Sequence, residues 1–266
     1  MRRIFVFILL VVIPSVLAQA PLPRVEQPPI QQTAVKEAVV PVPTEIFHLL
    51  DEFSGAYWYR VQRPEIVHWK ARADQVQIAL LLGMVVSEGF IATEGKDSAE
   101  VTDAGQAVVA LARALGVERL ALRRARSIME CAEQNKWAAA RKEWDSVLSD
   151  LDKGMIELRS GPLSQLVSFG AWLRGMEALC ALINQDYSLE RAELIRQAAA
   201  INYFEKQLAG MQRSIGSRSI LAKMLKGIRK IRGLAQREKG PITEKTVRKI
   251  GSVCEDLVNI PSKRPA

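Results

Sequence analysis

Cysteine and histidine are scarce in this chain, and each scarcity removes a class of chemistry. The three cysteines, Cys131, Cys180 and Cys254, stand far apart along 266 residues. Disulfide-stapled secreted domains are short and cysteine-dense, so no such framework carries this fold. All three lie in helix-like apolar contexts, where cysteine acts as a small hydrophobe. One bridge among them would leave one thiol over. CxxC pairs and Cys/His metal spacings are missing. Of the two histidines, His48 lies four residues before Glu52 and His68 lies between Glu65 and Arg72 at helical spacing, and HExxH spacing is absent. Neither is therefore expected to bind metal.

Also missing are GxSxG, P-loop and GxGxxG motifs. With no histidine near a plausible nucleophile, hydrolytic chemistry has no support, and the chain reads as a non-enzyme without cofactor. The acidic run Glu94, Asp97, Glu100 and Asp103 lacks the spacing of a calcium loop. Acids at a helix start complement the helix dipole, which suffices for these. Sustained period-two alternation is absent, so strands are not expected. No Asn-x-Ser/Thr acceptor occurs, a hint of a bacterial periplasm rather than a eukaryotic secretory route.

What is present begins with an address. Arg2 and Arg3 precede an apolar run, Ile4–Leu17, and Ala18-Gln19-Ala20 has the small-x-small form of a signal-peptidase site. Residues 1–20 are expected to be a cleaved signal peptide, which makes the protein periplasmic or secreted. Residues 21–43 hold six of the twelve prolines together with glutamines, and are expected to form a disordered linker. An all-helical domain over 44–260 and a flexible tail over 261–266 complete the plan. No transmembrane span is expected in the mature chain. Ile78–Val86 is uniformly apolar, but its nine residues fall short of a span.

The fold is expected to be all-α, a single bundle of about eight helices. Its centre is Gly161–Ile183, where Leu163, Leu166, Val167, Gly170, Leu173, Met176, Cys180 and Ile183 recur at three- and four-residue steps. A second stripe of small residues, Ser164, Ser168, Ala171, Gly175 and Ala178, suits close approach of a neighbouring helix. Arg174 and Glu177 alone interrupt the apolar character, spaced to pair with each other. The other helices are placed at Thr44–Phe53, Glu65–Glu88, Asp97–Gly116, Val117–Gln134, Trp137–Arg159, Ser188–Gly210, Arg218–Arg237 and Thr243–Val258. Nothing recurs as an internal repeat.

Two stretches are candidates for function. In Tyr57-Trp58-Tyr59 three aromatics follow one another in a connection. Such a run plugs one end of a helical core, or offers a sugar-stacking or interfacial contact. The second candidate is charge. From Gly210 to Lys249 twelve basic residues face only Glu238 and Glu244, a net of +10. In Arg218–Arg237 the side chains of Ile220, Leu221, Met224, Leu225, Ile228, Ile231 and Leu234 share one face. Arg218, Lys223, Lys226, Arg229, Lys230 and Arg237 occupy the other. This is the pattern of a helix docked on a core with a cationic outer face, and equally of a helix that lies on anionic lipid.

The basic balance persists after the leader is removed, from +8 to +6. Nucleic acid would ordinarily lead for such a stripe, but export argues against it. The expectation is a non-catalytic interaction or scaffold protein that meets an unknown protein partner. The alternative is a binder of an anionic lipid, or another anionic envelope ligand, through residues 218–237.

Overall fold

The computed structural model of the chain describes residues 45–53, 55–69, 74–212, 218–237 and 240–262. The expected signal peptide and disordered linker, Thr44 and most of the expected tail lie outside the described residues, as do the side chains of Arg218 and Arg237. Every regular element among the described residues is helical. Eight helices of fourteen residues or more make up the bundle: α2 Gln75–Glu94, α3 Ser98–Ala114, α4 Glu118–Glu133, α5 Trp137–Glu157, α6 Gly161–Gln185, α8 Ala198–Met211, α9 Arg218–Arg237 and α10 Glu244–Val258. Two short helices, α1 Glu45–Asp51 and α7 Leu189–Glu193, and two 3-10 turns at Trp58–Arg60 and Pro64–His68 join them.

The centre is the α2–α6 crossing, and glycine sets its closeness. A Cβ at Gly83 would stand 1.9 Å from the Val167 carbonyl oxygen, and one at Gly170 would stand 2.2 Å from that of Leu80. Ser87 Oγ donates to the Ala171 carbonyl oxygen at 2.7 Å across the same seam. Of the small-residue stripe Ala171 lies at this seam, whereas Val167 and Gly170, which share it, belong to the apolar stripe. Gly175 meets a different neighbour, Ile46 of α1, whose Cγ1 would lie 2.5 Å from an added Cβ.

Helix ends follow their caps. Asp97 accepts from the Glu100 N–H at 3.1 Å and starts α3. Gly116, at φ +81, ends that helix. Around it the N–H groups of Gly116 and Val117 return to the carbonyls of Arg113 and Ala112. Asn135, at φ +58, turns the α4–α5 hairpin, with the Lys136 N–H donating to the Cys131 carbonyl at 2.8 Å.

Two expected helices are corrected. The helix expected over Glu65–Glu88 starts ten residues later and ends at Glu94. Pro64 opens only a 3-10 turn. The true start is Asp74, whose carboxylate accepts from the N–H groups of Val76 and Gln77. Gly89 does not break α2, because it makes room for the Trp144 ring, 2.2 Å from where its Cβ would be. The helix expected over Ser188–Gly210 is two helices. Ser188 caps α7 as expected, but the chain turns at Gln197, which has φ +21. Tertiary contacts hold that corner. Trp172 Nε1 donates to Gln197 Oε1 at 2.8 Å, and Arg196 donates to the carbonyls of Ala235 and Gly240 at 2.8 and 2.6 Å.

The apolar part of α2 also runs well beyond Ile78–Val86. Contrary to expectation, α2 and α6 are each long and apolar enough to cross a membrane, with 18-residue windows of mean hydropathy 1.8 and 1.4. Inside the bundle those windows are 100% and 89% buried.

Candidate functional site

Helix α9 uses its apolar face on the bundle. Leu221, Met224, Leu225, Ile228, Ile231 and Ala235 are buried, and Gly227 lets the Leu257 side chain of α10 within 2.4 Å of its Cβ position. The outer face divides into two parts. Arg229 and Arg232 both reach Glu205 of α8, at 3.1 and 2.6 Å. Lys223, Lys226 and Lys230 are exposed, and none has an acidic partner among the described residues. At about 100° per residue these three fall within an arc of roughly 60°. They form a lysine row along α9.

The aromatic run also divides. Trp58 is buried and closes the core, whereas Tyr57 and Tyr59 are 59% and 63% exposed. Trp58 takes the plug position, and the tyrosines on either side of it lie outside the core. The Arg60 guanidinium lies 5.1 Å from the Tyr57 ring centroid and 5.6 Å from that of Tyr59, and Arg60 Nε donates to the Tyr59 hydroxyl at 3.1 Å. Stacking of this kind restrains the rings without covering them.

A buried charge network holds the connection that carries this ledge. Arg174, expected to pair with Glu177, does so at 3.4 Å, but its shorter partner is Glu88 at 2.8 Å. It also donates to the Val61 carbonyl. The other oxygen of Glu88 accepts the Arg63 N–H at 2.6 Å. The Arg63 guanidinium then reaches Glu177 at 2.8 Å and Asn259 Oδ1 at 2.7 Å. Two arginines and two glutamates thereby bind an irregular segment to α2, α6 and the end of α10. Buried charge without partners would cost several kcal/mol, and here each charge is met.

Beside Tyr57 opens a cleft of about 250 Å³, lined also by Phe53, Leu182, Gln185, Asp186 and Arg191. Gln185 holds the Tyr57 backbone from both ends. It accepts from the N–H at 3.2 Å and donates to the carbonyl at 3.4 Å. Arg191 stacks over Phe53 at 5.4 Å and binds both the carbonyl and the carboxylate of Asp186. Arg60 stands next to the aromatic run and was visible in the sequence. The four partners from 182–191 lie more than 120 residues away and gave no local signal.

His48 and His68 are surface residues, with Asp51 at 3.8 Å and Asp103 at 4.0 Å. Among the described residues no group of three or more His, Cys, Asp or Glu is placed to hold a metal ion. The cysteines are free thiols, Cys180 and Cys254 buried and Cys131 half-buried. Compared with protein-family models, with curated proteins and with solved structures, the chain matches none.

Proposed function

We propose that this chain is an exported, non-catalytic helical module that attaches to an anionic envelope surface through the lysine row of α9. The observation that carries this reading is the division of the α9 outer face. Glu205 engages Arg229 and Arg232, whereas Lys223, Lys226 and Lys230 stay exposed. The mode of attachment follows from the opposite face. An amphipathic helix enters a membrane by burying its apolar stripe in the acyl boundary, and in α9 that stripe is occupied by α8 and α10. The contact is peripheral and electrostatic. At about 1 kcal/mol per lysine near an anionic surface, the row supplies about 3 kcal/mol, roughly a hundredfold in affinity. That suits a module held at a surface by more than one contact.

Co-sedimentation with vesicles of mixed zwitterionic and anionic lipid tests the proposal. The mature chain binds at low salt and is released as salt approaches 0.5 M, because screening shortens the interaction range to well under 8 Å. Reversing Lys223, Lys226 and Lys230 to glutamate abolishes binding, and reversing Arg126, Lys142 and Lys153 elsewhere does not. Equal loss from both triplets would reduce the effect to net charge and remove the site. Binding that persists in high salt would mean that α9 undocks and inserts.

A further inference from the structure

We infer that the cleft beside Tyr57 is a subsite for one ring of a neutral sugar chain. Its lining has the two surfaces that a pyranose presents. The exposed Tyr57 ring offers an apolar face to the ring C–H groups, while Phe53 and Leu182, which also line the cleft, are buried. Asp186 and Arg191, bonded to each other, add an acceptor and a donor to its rim. Hydroxyls donate and accept at once, so a mixed rim of this kind suits them. An aliphatic or aromatic peptide side chain would bring apolar surface to that rim and would desolvate the Asp186–Arg191 pair without replacing its water.

Size and preorganisation point the same way. At about 250 Å³ the cleft lies just below the range of about 300–1,000 Å³ for drug-sized ligands, so it holds one ring and leaves the rest of a chain outside. The walls are set before a ligand arrives. Gln185 ties down the Tyr57 backbone, Arg60 stacks on its ring, and Arg191 is stacked over Phe53 while bonded to Asp186. Beneath the ledge, Trp58 is anchored in the core, and the Arg174–Glu88–Arg63 network fixes Val61 and Arg63. An irregular segment so constrained loses little side-chain entropy on binding. The exposed Tyr59 ring, 6.1 Å from Tyr57, extends the ledge toward a second ring of the same chain.

The site is separate from α9, so its test is independent of the surface attachment. The mature chain is titrated with cellotetraose, maltotetraose and an N-acetylglucosamine tetramer, read by saturation-transfer NMR and calorimetry. At least one tetramer is expected to bind in the millimolar range or tighter. Tyr57→Ala, an exposed truncation whose unchanged melting midpoint shows that the fold is intact, lowers the affinity at least tenfold. Tyr57→Phe keeps it within about threefold, because stacking needs the ring and not the hydroxyl. Reversing Lys223, Lys226 and Lys230 leaves sugar binding unchanged. The inference is overturned if none of the three tetramers binds, or if Tyr57→Ala binds as well as the wild type.

Discussion

Arg174 and Glu88 meet at 2.8 Å with neither side chain more than 2% exposed, and the pair joins the two central helices to the segment bearing the aromatic ledge. Removing one member of a buried pair strands the other, which costs about 3–5 kcal/mol. Glu88→Ala leaves both Arg174 and the Arg63 N–H without this acceptor. Arg174→Met leaves Glu88 and the Val61 carbonyl without this donor. Each single variant should lose stability on that scale in urea denaturation, and the double variant should lose clearly less than the sum. Strict additivity would show that the two side chains are not energetically coupled. Hydrogen exchange at Val61 and Arg63 should also quicken in Glu88→Ala, since their anchors depend on the same pair.

The same glycine-to-alanine change should have opposite signs at two sites. At Gly83 the new Cβ would fall 1.9 Å from a carbonyl oxygen, a clash of backbone with backbone that no rotamer can relieve. Overpacking typically costs 1–3 kcal/mol, and Gly83→Ala should lie at or beyond the upper end of that range. Gly233 lies in α9 with nothing within 4 Å of its Cβ position. There alanine should raise stability by up to about 1 kcal/mol through helix propensity. Thermal midpoints read both, and a drop at Gly233 would mean that this part of α9 is covered in solution.

Asp145 lies on α5, and burial pushes its carboxyl above the usual range. His48 and Arg141 oppose the shift, and Asp51 adds to it. A carboxylate whose folded pKa is raised destabilises the fold above that pKa, and the penalty is relieved as pH falls through it. Asp145→Asn should therefore raise the melting midpoint at neutral pH, with the gain shrinking on acidification toward the carboxylate range. A gain that stays constant with pH would trace to hydrogen bonding or packing rather than ionisation.

The thiols should react in a fixed order. Burial pushes the Cys180 and Cys254 thiols well above the ordinary range, and the negative charge of Glu177 adds to both shifts. The thiolate is the reactive form, so both should resist an aromatic disulfide reagent in the native state. Cys131, half-buried on α4, should label first. Three thiols titrating at one rate in native buffer would mean that the α6–α10 seam opens readily.

How much was legible can be judged residue by residue. The helical content, the limits of α3 to α6, α9 and α10, and the central place of α6 follow from apolar spacing, prolines, glycines and polar caps. These are local signals, readable within one or two turns. The cationic face of α9 was equally legible, because a helix of known phase assigns its side chains to faces. Only packing decided what that face can do. The docking of Leu221, Ile228 and Ile231 on the bundle removes the apolar stripe from any lipid, and Glu205, from α8, engages two of the cations.

The start of α2 was missed because Pro64 gave the stronger opening signal than the Asp74 cap ten residues on. The extent of α2 past Gly89 and the corner at Gln197 were lost because tertiary partners outweigh propensity there. Trp144 fills the space that Gly89 leaves, and Trp172 and Arg196 hold a turn that Ser188–Gly210 does not announce. The aromatic run shows the limit most plainly. Sequence alone marked Tyr57, Trp58 and Tyr59 as either plug or contact. Tertiary structure buried Trp58, left the tyrosines outside, and brought Gln185, Asp186 and Arg191 beside them from the far end of α6 and from α7. Local order in the chain determines which segments form helices and which of their faces are apolar. Which faces meet, and what is left uncovered, depends on contacts between residues from about twenty to more than a hundred positions apart, whose energies no short window of sequence contains.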